Sequence, residues 1–187
     1  MNWKVKSVKH CRIMHRFRNY LGVLMILSLF AFTSSCQQGS GTAGSQVQGQ
    51  DTLQQKLEML NSRINVDGSN PDLYNQRANL YLIDRKFDQA LKDVNQAISL
   101  NAEKSAYYVT LSDIYLLMGK PDDSRDALTK ALSKNKSDII ALQKLAKLYL
   151  IVKDYKNCYL TVRQVLDIDN TSAPAYYTRA IGLLEQG

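Results

Sequence analysis

The residues that could carry out acid–base, thiol or metal chemistry are few, and most of them lie at the start of the chain. The histidines, His10 and His15, precede residue 36, as does Cys11. Catalysis and zinc binding by histidine both require an imidazole at the site. The remaining cysteines, Cys36 and Cys158, predict no disulfide framework. No nucleophile, base and orienting partner recur at a workable spacing. We therefore predict that the protein is not an enzyme and has no metal site and no cofactor.

Residues 1–35 have the pattern of a signal peptide, whether translation starts at Met1 or Met14. The segment has no acidic residue, and its basic residues are Lys4, Lys6, Lys9, Arg12, Arg16 and Arg18. The mainly apolar run at 21–32, which is 12 residues long, is too short for a transmembrane helix, which needs about 20, and is typical of a signal-peptide core. Of the 24 basic residues, 18 follow this segment, against 17 acidic residues. The mature protein is nearly neutral, so we predict no nucleic-acid binding.

The sequence FTSSC at residues 32–36 resembles the lipobox of bacterial lipoproteins, in which small residues precede a lipidated cysteine. The resemblance implies that Cys36 carries palmitate-type acyl chains and becomes the new N-terminus. More than one chain suffices for stable membrane anchoring. Gln37 after this cysteine implies a bacterial cell-envelope lipoprotein of the outer membrane that faces the periplasm. The alternative is a secretory signal cleaved near Ser35, which would release a soluble protein.

Two segments separate this cysteine from the rest of the chain. Residues 36–50 are rich in Gly and Gln and have no charge or aromatic residue after the cysteine. Such a composition buries too little apolar surface to fold and predicts a flexible linker. Residues 51–68 have helical spacing of leucine and isoleucine, which predicts an N-terminal helix that covers the open end of the following domain.

From residue 71 onward, the same residue types recur at a constant interval. This interval equals the number of residues that separates Tyr74 from Tyr108. The recurring aromatic or leucine residues are Tyr74, Tyr108, Leu142 and Tyr176, and the recurring small residues are Ala78, Ser112, Ala146 and Ala180. A constant period of this kind indicates stacked units that bury their apolar faces against one another. We predict an all-α, helix-turn-helix repeat solenoid with repeats at 71–104, 105–138 and 139–172 and a partial repeat at 173–187.

These positions resemble the tetratricopeptide repeat family, although Arg77 and Arg179 replace the usual leucine. The resemblance implies that the first helix of each repeat lines a concave groove that binds a peptide. The predicted groove residues are Asp72, Asn75, Gln76, Asn79, Val109, Thr110, Asp113, Gln143, Lys144, Lys147 and Tyr177. Some members hold chaperone C-termini with a basic clamp. Asn79 matches that clamp, but Asn75, Thr110 and Ile140 do not, which disfavours a chaperone-tail receptor.

These patterns favour a lipid-anchored scaffold or adaptor that binds a protein or peptide without chemistry of its own. The alternatives are a secreted soluble repeat protein and a structural subunit that self-associates through its C-terminal helix. The second alternative depends on the residues after Ala173, which form the first helix of a fourth repeat and have no second helix to cover them.

Overall fold

A computed structural model of the chain describes residues 43–187, with side chains from Thr52 onward. The predicted signal peptide and the predicted lipidation site Cys36 lie outside these residues. The eight helices of the described part are α1 (Ala43–Val66), α2 (Pro71–Ile83), α3 (Phe87–Leu100), α4 (Ser105–Leu117), α5 (Pro121–Lys134), α6 (Ile139–Ile151), α7 (Tyr155–Ile168) and α8 (Ala173–Gln186). None of them is long and apolar enough to cross a bilayer. The described chain is all-helical, as the sequence predicted.

Helix α1 begins earlier and ends earlier than the predicted 51–68. Leu57 and Leu60 are buried and α1 contacts α2, so the second half of the helix packs as expected. Once a helix is nucleated, each further residue adds a backbone hydrogen bond, and α1 extends back to Ala43, into the segment that we assigned to the linker. At the other end, Gly68 belongs to the turn, where its carbonyl accepts a hydrogen bond from Tyr74.

The turns between the two helices of each repeat use a left-handed residue at a fixed position. Arg85, Gly119 and Lys153 have φ values of 57°, 73° and 59° and occupy the same position in successive repeats. Such a residue ends a helix and reverses the chain within a short turn. At the start of the first repeat, the side chain of Asn70 accepts a hydrogen bond from the backbone N–H of Asp72 at 3.0 Å and so caps α2.

The repeats form two layers. The first helices of the repeats are α2, α4, α6 and α8, and the second helices are α3, α5 and α7. Helices α2, α4 and α6 each pack on the second helix that follows, and the first helices also contact one another along the array. The second helices make no such contacts with one another in the described part of the chain. The first helices are therefore the more closely spaced layer and form the inner, concave side of the solenoid.

Small residues permit the close packing of the two helices within a repeat. Ala78 and Ala90 are fully buried in one core cluster, and Ala146 and Cys158 are buried in another. Cys158 is thus the buried small side chain that its repeat position predicts, and burial raises the pKa of its thiol. Tyr176, the recurring aromatic residue of α8, is by contrast 43% exposed, because no second helix in the described residues covers α8.

A buried ion pair joins the first repeat to α1. The guanidinium group of Arg77 donates to both carboxylate oxygens of Asp93, at 2.6 and 2.7 Å, and to Asn61 of α1 at 2.7 Å. The hydrogen bond to Asp93 raises the pKa of Arg77 further. Asp93 is only 4% exposed, and no other side chain in the described residues bonds to it. The arginine that departs from the family pattern therefore links three helices.

Gly182 allows α8 to approach α7 closely. A Cβ atom at this position would lie 3.0 Å from the hydroxyl oxygen of Tyr159 and 3.2 Å from Cε1 of its ring. We expect Gly182→Ala to destabilise the protein by about 1 kcal/mol, because overpacking outweighs the gain in helix propensity. In a Tyr159→Ala background the same change should stabilise instead. Urea unfolding of the four proteins measures both effects, and stabilisation in both backgrounds would contradict the close packing.

Candidate functional site

The candidate site is the inner side of the first helices, opposite the second helices. Of the predicted residues, Gln76 and Lys147 are exposed, and Tyr177 is 69% exposed on α8. Asp72, Asn79, Asp113, Gln143 and Lys144 lie on the same side and are partly buried. The structure thus brings most of the predicted residues onto one surface, which we call the inner groove.

Several of the polar groove residues bond to the next first helix or to the residue that caps it. Asp113 accepts two hydrogen bonds from the ammonium group of Lys144, at 2.7 and 3.0 Å, across α4 and α6. Gln143 donates to the hydroxyl of Ser172 at 3.0 Å, and Asn79 has a long contact of 3.5 Å with Thr110. A pocket of about 90 Å³ lies beside the Asp113–Lys144 pair. These residues therefore fix the spacing of the repeats as well as line the groove.

At the N-terminal end of the groove, Asp72 is held by Lys104, which directly precedes α4, and by Tyr107 of α4. Lys104 donates to it at 2.6 and 2.8 Å, and the hydroxyl of Tyr107 donates at 2.6 Å. These bonds lower the pKa of Asp72, and the bond from Lys104 has the largest effect. Burial, followed by the hydrogen bond to Asp72, raises the pKa of Tyr107 well above its ordinary value of 10.0. Asp72 is thus an inter-repeat contact rather than a free charge for a ligand.

Because the phenol group of Tyr107 is buried, we expect the protein to lose stability in alkali. Its pKa is higher in the folded than in the unfolded state, so its contribution is complete below about pH 10 and falls as pH rises above that value. We expect the unfolding midpoint of the wild type to fall more steeply between about pH 10 and 11.5 than that of Tyr107→Phe. Thermal unfolding across this range tests it. The exposed Tyr177→Phe is the matched control, and parallel curves for Tyr107→Phe and wild type would contradict the assignment.

Two predicted groove residues are not accessible. Val109 is 8% exposed and packs with Ala141 and Leu145 of the next repeat, and Thr110 is 5% exposed. Their burial follows from the contact between neighbouring first helices, which covers the edge of α4. Asn75 is half-buried, and its side-chain oxygen is buried without a hydrogen-bond partner in the described residues. We correct the prediction for Val109 and Thr110: they support the groove wall and offer no surface to a ligand.

Sequence reasoning missed an exposed apolar row. Ile83, Leu117 and Ile151 are the last residues of α2, α4 and α6, and 71%, 59% and 53% of each is exposed. On its helix, each of the three stands four positions after an inner-groove residue, which is Asn79, Asp113 or Lys147. Residues with this spacing lie on the same face of a helix. We call these three residues the apolar row. Their recurrence at the repeat period is the signal in the sequence that could have revealed them.

Unpaired cations follow the apolar row. Arg85, Lys120 and Lys153 lie two or three residues after its members, in the turns that end the first helices. None of the three has a carboxylate partner in the described residues, and Lys147 has none either. Lys86, by contrast, is paired with Asp84. Within residues 52–187, no group of His, Cys, Asp and Glu side chains is placed to bind a metal. The turns that follow the first helices thus add positive charge next to the apolar row.

Comparison with known proteins identifies the repeats and the fold. The family model described as tetratricopeptide repeat matches residues 71–104 and 105–138. No curated protein matches the sequence. Among solved structures, the chain is similar to MamA, with a TM-score of 0.64 at 14% identity over 78% of this chain and 85% of that one.

Two further similar structures are of proteins that bind peptides. YrrB, a tetratricopeptide repeat protein with an unusual peptide-binding site, has a TM-score of 0.57 at 15% identity, over 76% of this chain and 73% of that one. The first tetratricopeptide repeat domain of Spaghetti (RPAP3), bound to the HSP90 peptide SRMEEVD, has a TM-score of 0.58 at 14% identity, over 65% of this chain and 97% of that one. The described chain therefore has the fold of a tetratricopeptide-repeat solenoid, with matching repeats at residues 71–104 and 105–138.

Proposed function

We propose that the protein is an interaction scaffold whose inner groove binds a peptide segment with apolar and acidic side chains. The observation that carries this proposal is the apolar row, because three large apolar side chains that recur on one face are exposed without a partner in the described chain. The cations in the turns after the row, Arg85, Lys120 and Lys153, favour acidic residues next to the apolar anchors. Of two proteins with the same fold, one has a peptide-binding site and the other is bound to a peptide. Both findings support this class of ligand.

Selection from a displayed library of short random peptides tests the proposal. The bait is the full chain, and the counter-selection bait carries Ile83→Ser, Leu117→Ser and Ile151→Ser. We expect enriched sequences that pair apolar with acidic residues and that bind the wild type better than the triple variant. Enrichment of basic peptides, or of peptides that bind both baits equally, would reject the groove as the binding site.

We further propose that the scaffold is an envelope lipoprotein attached to the outer membrane through lipidated Cys36. The lipobox-like sequence at residues 32–36 and the apolar segment before it support this proposal. In cells grown with an alkyne analogue of palmitate, we expect labelled protein in the membrane fraction and at least a tenfold loss of label in Cys36→Ala. Cys158→Ala, which removes a buried cysteine, is the control and should remain labelled. Equal labelling of Cys36→Ala and wild type would exclude the anchor and favour a secreted soluble protein.

A second candidate function is self-association through α8. Leu183 and Leu184 are 57% and 76% exposed, and adjacent exposed leucines form an apolar patch of the kind that protein contacts bury. Light scattering at several concentrations decides this point. A mass that rises with concentration, and that falls to the monomer value in Leu183→Ser/Leu184→Ser, would support self-association, and a strict monomer would exclude it.

A further inference from the structure

One position of the repeat carries a tyrosine whose hydroxyl group bonds to the turn before its helix. In α2, α4 and α8 this hydroxyl donates to the backbone carbonyl six residues earlier in the chain. The three pairs are Tyr74 with Gly68, Tyr108 with Ala102 and Tyr176 with Asn170, at 3.1, 3.2 and 2.9 Å. In α6, Leu142 stands at this position and has no hydroxyl group. The carbonyl oxygen of Lys136 therefore lacks the hydrogen bond that its three counterparts accept.

Where the second repeat meets the first, an ion pair lies beside the tyrosine. The ammonium group of Lys134 is 2.6 Å from the carboxylate of Glu103, and only 18% of the lysine side chain is exposed. The hydrogen bond to Glu103 raises the pKa of Lys134, and the nearby Tyr108 adds to this effect. Where the third repeat meets the second, Ile168 replaces the lysine and Ser137 replaces the glutamate. This junction therefore lacks both the aromatic ring and the ion pair.

A pocket of about 430 Å³ lies at the junction of the second and third repeats. Its lining residues are Leu132, Lys136, Leu142, Gln164, Asp167 and Ile168. Two of them, Leu142 and Ile168, are the residues that replace the tyrosine and the lysine of the preceding junction. The shorter side chains account for the space, and its volume is within the range of small-molecule pockets, about 300–1,000 Å³.

We propose that this pocket, which we call the phenol pocket, binds an aromatic ring with a hydroxyl group that is supplied from outside the described residues. The ring lies against Leu142, and its hydroxyl donates to the carbonyl oxygen of Lys136. The tyrosines at the same position of α2, α4 and α8 show that such a ring is compatible with this repeat geometry. An aliphatic group could fill the space, but it would leave the carbonyl group without a donor.

The rim of the phenol pocket also has polar groups for the rest of a ligand. Lys136 and Asp167 line it, and neither has an oppositely charged partner within residues 52–187. Apolar walls with a few polar groups at the edge are typical of a ligand site. None of the lining residues belongs to the inner groove, so this proposal and the proposed peptide binding can fail independently.

Saturation-transfer difference NMR with the full chain tests the chemistry of the ligand. The probes are para-cresol, which is the tyrosine side chain alone, and N-acetyltyrosine amide, which carries the same ring on a peptide backbone. We expect both to bind. We expect para-methylanisole, which has no hydroxyl donor, to bind at least about fivefold more weakly than para-cresol, because one hydrogen bond is lost. Tighter binding of N-acetyltyrosine amide than of para-cresol would identify a tyrosine residue as the ligand, and the reverse order a small phenol.

Filling the pocket from within tests its location. Leu142→Tyr should abolish binding of para-cresol and raise the unfolding midpoint by several degrees, because its own ring occupies the pocket and its hydroxyl bonds to the carbonyl of Lys136. Leu142→Phe should also block binding but should stabilise less, because it restores the ring without the hydrogen bond.

A surface variant keeps the test decisive if the changes at the buried Leu142 do not fold. Ser137→Glu/Ile168→Lys introduces the ion pair of the preceding junction over the pocket and should weaken binding of para-cresol at least about fivefold. The control is Leu100→Lys, at the position of α3 that corresponds to Ile168, and it should bind as the wild type does. The proposal is overturned if neither phenol binds, if para-methylanisole binds as tightly as para-cresol, or if the variants that fill or cover the pocket leave binding unchanged.

Discussion

Replacement of Arg77 by leucine should destabilise the protein by about 3–5 kcal/mol, although leucine is the usual residue at this repeat position. The change leaves the carboxylate of Asp93, which is 4% exposed, without the two hydrogen bonds that it now accepts. A buried, uncompensated charge costs more than the added apolar contact returns. Urea unfolding of wild type and Arg77→Leu measures the difference.

The matched control is the double variant Arg77→Leu/Asp93→Ala, because the second repeat already has Leu111 and Ala127 at these positions. We expect its stability to lie within about 1 kcal/mol of wild type, since apolar replacement of a buried ion pair is often neutral. Asp93→Ala alone should have an intermediate effect, because Arg77 keeps its hydrogen bond to Asn61. Additive effects of the two single changes, with no coupling in the double-mutant cycle, would show that the pair is not the cause.

Replacement of Ile83, Leu117 and Ile151 by serine should abolish most peptide binding and leave the fold intact. More than half of each side chain is exposed, so its removal costs little folding free energy. Burial of an apolar side chain in a complex contributes about 1.5–3 kcal/mol, so loss of even one fully buried anchor weakens binding about tenfold or more. We expect the triple variant to bind a library-selected peptide at least about a hundredfold more weakly.

The control for this variant removes three other exposed large apolar residues. Met59, Leu160 and Ile168 are 55%, 53% and 45% exposed and lie on α1 and α7, outside the first helices. Met59→Ser/Leu160→Ser/Ile168→Ser should bind the peptide as wild type does. Isothermal titration calorimetry gives both affinities, and circular dichroism confirms that both variants are folded. Equal losses in the two triple variants would mean that general surface hydrophobicity, not the apolar row, drives binding.

The architecture could be predicted from the sequence because its signals are local and repeated. Gly119 and Pro121 mark the turn of the second repeat, and α4 and α5 end and begin on either side of Gly119. Ala78, one of the recurring small residues, also lies in the core, where it is packed with Ala90. Such residues determine the short-range geometry of one helix pair. Because they recur at a constant period, the same geometry recurs along the chain.

The groove was predicted less completely because its surface depends on contacts between repeats. Val109 lies on the predicted face of α4, but α6 packs against that edge and buries it. Asp72 has the type and position of a ligand-binding residue, yet Lys104 and Tyr107 reach it from the start of α4. The role of Arg77 depends on Asp93 of the following helix, and only the packing of α3 on α2 places that carboxylate within reach. Side-chain pairs across helices are set by tertiary geometry, which periodicity alone does not define.

The most direct test of the central proposal is site-specific photocrosslinking in living cells. A benzophenone amino acid replaces Leu117 in the centre of the apolar row, and the control carries it at Leu160, which is similarly exposed on α7. The proposal predicts a discrete crosslinked protein from position 117 that is absent from position 160 and absent when Ile83→Ser and Ile151→Ser are added. The same crosslinked product from both positions, or none from position 117, would contradict a peptide-binding function of the inner groove.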